Sequence, residues 1–225
     1  MSTVNGSYRG PNIVKDGLVL YLDAVSPNSY SNKFNKLTWK DISGKSNNGL
    51  ILNGPIYNNN YFSFDGINDY VNCGNNSSLQ ITKGSVSVWV RTSTPGSGYR
   101  GIITKREAWG IFTLNSELVV FDWGNGTHRS TGVNIADGNW RNIVLTFSET
   151  IGTPSNNAIV YVNGVPIITT TVKHLSQIYN CLTGYGNYLS QYFKGDVSNI
   201  QIYNKVLTQS EITQNYNKLK LRFGL

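Results

Sequence analysis

Charge is scarce in this sequence: 14% of its 225 residues are Asp, Glu, Lys or Arg, against about a quarter in an average globular domain. Uncharged polar residues take their place, among them 29 Asn, 23 Gly and 14 Tyr. No apolar run approaches the roughly 18 residues that a membrane span needs. The longest near the start, residues 17–22, has strand length. Residues 1–16 hold no basic segment followed by an apolar one, so no standard secretion signal is read. The sequons at Asn5, Asn75, Asn76 and Asn125 are then products of Asn richness. The two cysteines, Cys73 and Cys181, offer neither a zinc spacing nor a disulfide framework. They read as buried thiols of a protein made in a reducing cytoplasm, with one long-range bridge as the alternative. The two histidines, His128 and His174, stand in no zinc motif, and Gly-x-Ser-x-Gly is missing.

What is present is a core composition, 39% hydrophobic and 12% aromatic, which excludes disorder. The dominant pattern has period two. Leu18, Leu20 and Leu22 alternate with Val19 and Tyr21, and Val86, Val88 and Val90 with Ser87 and Trp89. The same holds around Ile143–Phe147, Ala158–Val162 and Ile200–Ile202. Successive strand side chains face opposite ways, so each segment lines a core with one face. Asn-Gly pairs at 48–49, 53–54, 125–126 and 163–164 lie between such segments and suit tight hairpin turns. The clearest hairpin is residues 161–167, in which Pro166 predicts an edge strand or a late start. One helix is expected. Thr208 and Glu211 form a capping box, Leu207 and Ile212 a hydrophobic staple, and Ile212, Tyr216 and Leu219 share a face. Many short strands with frequent turns indicate an all-β sandwich or barrel. The chain divides into an N-terminal arm, residues 1–15, and one domain, residues 16–225. The net charge is +7, but the basic residues are scattered. Their densest group, Lys218, Lys220 and Arg222, complements a helix C-terminus, so nucleic acid is not an expected partner, nor is a membrane.

Seven motifs carry a family resemblance: residues 16–24, 39–49, 64–71, 85–90, 138–144, 161–164 and 195–212. The most distinctive are Phe64-Asp65-Gly66-Ile67-Asn68-Asp69-Tyr70-Val71 and the closing strand with its helix. In this order they resemble the laminin-G-like group of the concanavalin A-like lectin/glucanase superfamily. The resemblance implies a two-sheet antiparallel jelly-roll sandwich with one short C-terminal helix and with first and last strands paired. That fold carries lectins, enzymes, adhesion modules and virion proteins, and so does not fix a function. The short polar arm and the tail, residues 216–225, are similar to stand-alone virion proteins of large tailed phages.

Retaining glycosidases of the superfamily carry two carboxylates at alternate positions of one strand, near the separation that retention requires. The four glutamates, Glu107, Glu117, Glu149 and Glu211, have no such spacing, so no catalytic residue is assigned. Asp65, Asn68 and Asp69 are the closest oxygen cluster for calcium. They read better as a turn, and no metal or cofactor is assigned. Trp39, Trp89 and Trp140 fall in family core motifs and read as packing. Trp109, Asp122, Trp123 and Arg129 are the candidate glycan-binding residues, since a ring stacks on a pyranose while polar groups bond its hydroxyls. Trp123 packing a hairpin is the equal alternative. Tyr185, Tyr188 and Tyr192 form a second aromatic loop, suited to sugar or to a protein interface. The expected function is a non-enzymatic virion surface protein of a tailed phage, on capsid or tail. It is made in the host cytoplasm, bound to virion proteins through its arm and able to meet cell-surface glycans. The alternatives are a carbohydrate-binding or adhesion module outside a virus and a glycan hydrolase with unorthodox carboxylates such as Asp122.

Overall fold

The computed structural model describes residues 12–31, 36–148 and 156–225. Along them run β1 (Leu18–Asp23), β2 (Thr38–Trp39), β3 (Gly49–Leu52), β4 (Ile56–Tyr57), β5 (Phe62–Asp65), β6 (Tyr70–Asn72), β7 (Lys83–Arg91) and β8 (Tyr99–Lys105). There follow β9 (Trp109–Leu114), β10 (Glu117–Asp122), β11 (Thr127–Asn134), β12 (Arg141–Ser148), β13 (Ala158–Val162), β14 (Val165–Thr170), β15 (Cys181–Thr183), β16 (Lys194–Tyr203) and the helix α1 (Gln209–Leu219). The strands form two antiparallel sheets stacked as a jelly-roll sandwich. The back sheet has the order β14-β13-β12-β7-β16-β5-β4, with β1 also paired to β16. The front sheet has the order β11-β10-β9-β8-β15-β6-β3-β2.

Strand register turns the alternation of the sequence into rows. Val162, Ile143, Val88, Ile200 and Leu22 are consecutive cross-strand partners across five strands. Val160, Leu145, Val86, Ile202 and Leu20 form the next row. All ten are buried, and each such side chain contributes about 1.5–3 kcal/mol of transfer free energy. A row of the front sheet faces them: Ile51, Val71, Thr183, Ile103, Ile111 and Val120. Trp39 packs between the sheets against Phe62, 4.7 Å between ring centroids. First and last strands are paired, β1 with β16. The Asn163-Gly164 turn joins β13 to β14 with φ of 52° and 79°, as a type I′ turn requires. Pro166 lies on β14, an edge strand, as its missing N–H demands. Asn53-Gly54 also has both φ values positive, whereas Gly49 and Asn125 do not.

The outer face of the back sheet is covered. Leu207, just before helix α1, and Ile212 on it pack with Val144, Tyr161 and Tyr203. Its capping box is complete: Thr208 accepts from the Glu211 amide and Glu211 from the Thr208 amide. Trp89 therefore packs outside the sandwich, stacked on Phe223 at 4.1 Å and on Tyr216 at 5.7 Å. Trp140 is half-buried at the same rim, against Phe223 and the Arg91 guanidinium. Val14 is docked here too: its amide donates to Asn215 at 2.8 Å and its carbonyl accepts from the Tyr203 hydroxyl. This moves the domain boundary. Residues 12–15, read as part of the arm, belong to the folded unit because Val14 is apolar and buried. Residues 1–11 lie outside the described residues, and with them the bulk of the arm.

Cys73 and Cys181 are free thiols facing each other across β6 and β15, the Cys73 amide donating to the Cys181 carbonyl at 2.9 Å. A hydrogen bond to Cys181, with burial, pushes the Cys73 thiol up, so it stays protonated. Asp65 accepts from the Ile67 and Asn68 amides and Asp69 from the Asp65 amide. That is the turn chemistry read from the sequence. His174 packs edge-on against Phe147 at 5.1 Å, and burial lowers its pKa to about 4.

Two predictions follow from these contacts. Thr208→Ala removes an acceptor for a helix N-terminal amide and lowers stability by about 1 kcal/mol; the urea midpoint measures it. The unfolded chain protonates His174 near pH 6.5, the folded one only near pH 4. Stability at His174 is therefore undiminished above pH 6.5 and falls, by on the order of 3 kcal/mol, as the pH drops from 6.5 to 4. His174→Gln flattens that part of the stability profile in urea melts at stepped pH.

Candidate functional site

The structure divides the four candidate residues. Trp109 is inaccessible in the core, its ring 6.5 Å from that of Phe147. Asp122 is 0% exposed. It shares the inward face of β10 with Leu118 and Val120, and Arg129 is the cross-strand partner of Val120. Asp122 and Arg129 thus meet at the sandwich rim as an ion pair of 2.5 Å. The remaining acceptor sites of Asp122 take the Asn125 amide at 2.7 Å and the Lys173 backbone N–H at 3.0 Å. Burial raises the Asp122 carboxyl, but these hydrogen bonds outweigh it and hold it below the usual carboxylate range. Arg129 also reaches the Thr171 carbonyl. The pair is a seam that fixes the β10–β11 hairpin to the chain after β14. The reading of Trp109 and Asp122 as glycan contacts is corrected accordingly: neither has surface to offer a sugar. Trp123 is half-buried and packs on Phe121 at 4.3 Å, facing the other side of the hairpin. Asp122→Ala strands the Arg129 charge at the rim and lowers stability by about 3 kcal/mol. Trp109→Ala costs about 3–5 kcal/mol. Both appear as shifts of the urea midpoint.

The outer face of the front sheet carries a row of rings, in which Phe112 is buried and Tyr99, Phe121 and Trp123 are half-buried. From Trp123 and Phe121 the row continues to Phe112, 5.9 Å from Phe121, and to Tyr99, 5.8 Å from Phe121. The Tyr99 hydroxyl bonds His128 at 2.7 Å. Beyond Tyr99 the segment 184–192 folds back over the sheet. Gly101 and Gly186 make this possible: a Cβ on Gly101 would stand 2.4 Å from the Gly186 nitrogen. Thr104 anchors the crossing by donating to the Tyr185 carbonyl at 2.8 Å. The crossing stacks Tyr185 on Tyr192 at 4.3 Å and sets Tyr70 of β6 5.7 Å from Tyr185.

Beside these rings opens a cleft of about 300 Å³ lined by Tyr70, Asn72, Tyr179, Asn180, Tyr185 and Asn187, with Ile178 and Leu182. Its walls are held from below. Lys105 is fully buried and donates to Asn75 Oδ1 (2.5 Å) and to the carbonyls of Gln177 (2.9 Å) and Tyr179 (2.5 Å). Burial brings its ammonium down to about 8; three uncharged acceptors match its three donors without a carboxylate. Arg106, the next residue, lies between the rings of Tyr179 (4.9 Å) and Tyr188 (5.4 Å) and so joins the two wall segments. Tyrosine faces, side-chain amides and a guanidinium around a small cleft are what sugar recognition uses. A larger groove of about 690 Å³ runs between the N-terminal segment and the end of α1. Of its lining residues Tyr21 alone carries a ring, and the Asp23 carboxylate is already bonded to Arg222 at 2.9 Å.

Tyr185, Tyr188 and Tyr192 were legible as an aromatic loop. Tyr70, Tyr179, Lys105 and Arg106 were not, since they come from separate strands and loops. The glutamates are scattered: Glu107 occupies the β8–β9 turn at φ 63°, Glu117 bonds Ser130 and Gly132 at the start of β10, and Glu211 caps α1. Glu149 lies outside the described residues.

A family profile described as the concanavalin A-like lectin/glucanases superfamily, laminin-G type, matches residues 65–213. The chain belongs to this superfamily. No curated protein matches the sequence. Among solved structures, Trypanosoma rangeli sialidase with 2,3-difluorosialic acid superposes with TM-score 0.73 at 15% identity, over 97% of this chain and 36% of that one. The binding domain of Paraclostridial mosquitocidal protein 1 gives TM-score 0.63 at 16% identity, over 90% of this chain and 52% of that one. Domain 4 of an extracellular arabinanase from Geobacillus stearothermophilus, in complex with arabinotriose, gives 0.63 at 18% identity, over 88% of this chain and 98% of that domain. The chain therefore spans about half of the toxin domain and about a third of the sialidase. The shared feature is the lectin-like sandwich.

Proposed function

We propose that this protein is a non-enzymatic glycan-binding sandwich whose site is the tyrosine-lined cleft of the front sheet, with the Trp123 end of the ring row as a further contact. The observation that carries the reading is the cleft itself: Tyr70, Tyr179 and Tyr185, the last stacked on Tyr192, grouped beside the amides of Asn72, Asn180 and Asn187. Among the described residues, helix α1 and the turn after it cover the back sheet, which favours the cleft of the front sheet as the binding side. An arabinanase domain of this fold in complex with arabinotriose makes a sugar ligand chemically reasonable for such a sandwich. The scattered glutamates favour binding over hydrolysis, since glycosidic cleavage by two carboxylates needs them paired.

We also propose that the protein is a surface component of a tailed-phage virion, on capsid or tail, which extends the expectation drawn from the sequence of its arm, domain and tail. One shallow site binds weakly. Display in many copies raises avidity by about 10² to 10⁴ without new contacts, so the two readings reinforce each other.

The test is a glycan array probed with the protein in multivalent form. Wild type binds a defined glycan set, and Tyr185→Ala and Tyr192→Ala each lose at least tenfold while their urea midpoints show a folded protein. Binding that survives both substitutions moves the site elsewhere, and an array without hits removes the glycan reading. Mass spectrometry of purified particles from the phage encoding this chain finds the protein in the virion; its absence there overturns the virion reading.

A further inference from the structure

The six arginines among the described residues are not treated alike. Arg91 pairs with Asp196, Arg129 with Asp122, Arg141 with Asp137 and Arg222 with Asp23, at 2.5–2.9 Å. Arg100 and Arg106 have no carboxylate partner among the described residues. Both lie against the segment that roofs the front sheet: Arg100 donates to the Ser190 carbonyl and Arg106 to the Asn187 carbonyl.

Arg106 is the more exposed to a ligand in its chemistry. Its one hydrogen bond is long, 3.4 Å, and a guanidinium has five N–H donors. Its guanidinium carbon lies over the rings of Tyr179, at 4.9 Å, and Tyr188, at 5.4 Å. These contacts use the π faces of the rings and leave the unused N–H donors in the guanidinium plane, where a carboxylate binds bidentately. The neighbouring cleft contains no acidic side chain: its lining is Tyr, Asn, Ile and Leu. Glu107, adjacent in sequence, forms no ion pair with it and presents its backbone carbonyl to Leu175 and Ser176.

Resting on the glycan reading above, we infer that the ligand is an acidic glycan, one whose carboxylate is taken by Arg106 while a ring of the same chain lies against the tyrosines. The net charge of +7 favours the approach of such a chain but selects nothing. The pairing with Arg106 selects.

The experiment uses an array that carries neutral glycans, carboxylated glycans (sialylated and uronate-bearing), the carboxyl-reduced form of each, and sulfated glycans. The multivalent wild type, Arg106→Gln and Arg106→Lys are compared, with urea midpoints as the control for folding. The expected result is binding confined to carboxylated glycans, lost on carboxyl reduction, weakened at least tenfold by Arg106→Gln and less by Arg106→Lys, which keeps the charge but not the fork. Sulfated glycans binding as well as carboxylated ones, with no dependence on Arg106, assign the effect to net charge and overturn the inference. Binding to neutral glycans alone, or carboxylate binding that Arg106→Gln leaves intact in a folded protein, also overturns it while leaving the glycan reading in place. No binding to any glycan removes both.

Discussion

Strand β16 holds the molecule together. Its outer half, Lys194–Val197, bonds β5, its inner half, Asn199–Tyr203, bonds β1, and its other edge bonds β7 along nearly its whole length. Three segments separated by much of the chain are thereby fixed in one register, and the two apolar rows of the core depend on it. The same strand turns Tyr203 outward, where its hydroxyl ties Val14 and Asn215. The covering of the back sheet thus follows from the pairing that closes the sandwich.

That covering makes the two faces of the sandwich unequal. Helix α1 and the 3₁₀ turn after it seal the back sheet with Leu207, Ile212, Tyr216 and Phe223. Among the described residues no α-helix lies on the front sheet. A single returning segment, 184–192, crosses it, and close approach at Gly101 and Gly186 lets that segment lie directly on the strands. Buried Lys105 and half-buried Arg106 then fix the cleft walls from consecutive positions, one side chain reaching inward to backbone carbonyls and the next outward to rings. The position of Tyr179 depends on both.

Much of the fold was legible because the back sheet alternates cleanly. Ser85, Ser87 and Trp89 against Val86, Val88 and Val90 leave no doubt about period, and the helix declares itself in Thr208 and Glu211. The direction of Trp89 was not legible, since nothing local says that a helix lies on the outer face. The candidate site was misread for a related reason. Leu118-Val119-Val120-Phe121 is apolar at every position, because both faces of β10 are covered, so the pattern does not reveal on which side Asp122 falls. Proximity along the chain then grouped Asp122 and Arg129 with Trp123, although the pleat places the ion pair inward and the ring outward. The tyrosine cleft draws on β6, β8, and the segments before and after β15. Assembling it requires knowing that the three residues of β15 sit between β8 and β6, a long-range pairing with no local signature.

The central claim is that a sugar lies on the outer face of the front sheet, against Tyr185 and Tyr192. The most direct measurement is an NMR titration of isotope-labelled protein with a glycan that it binds. The account predicts shifts confined to resonances of Tyr70, Arg106, residues 177–192 and the ring row from Tyr99 to Trp123, with the α1 side of the molecule unchanged. Shifts clustered instead around Lys15, Asp23 and Arg222, in the groove beneath the end of α1, would contradict it.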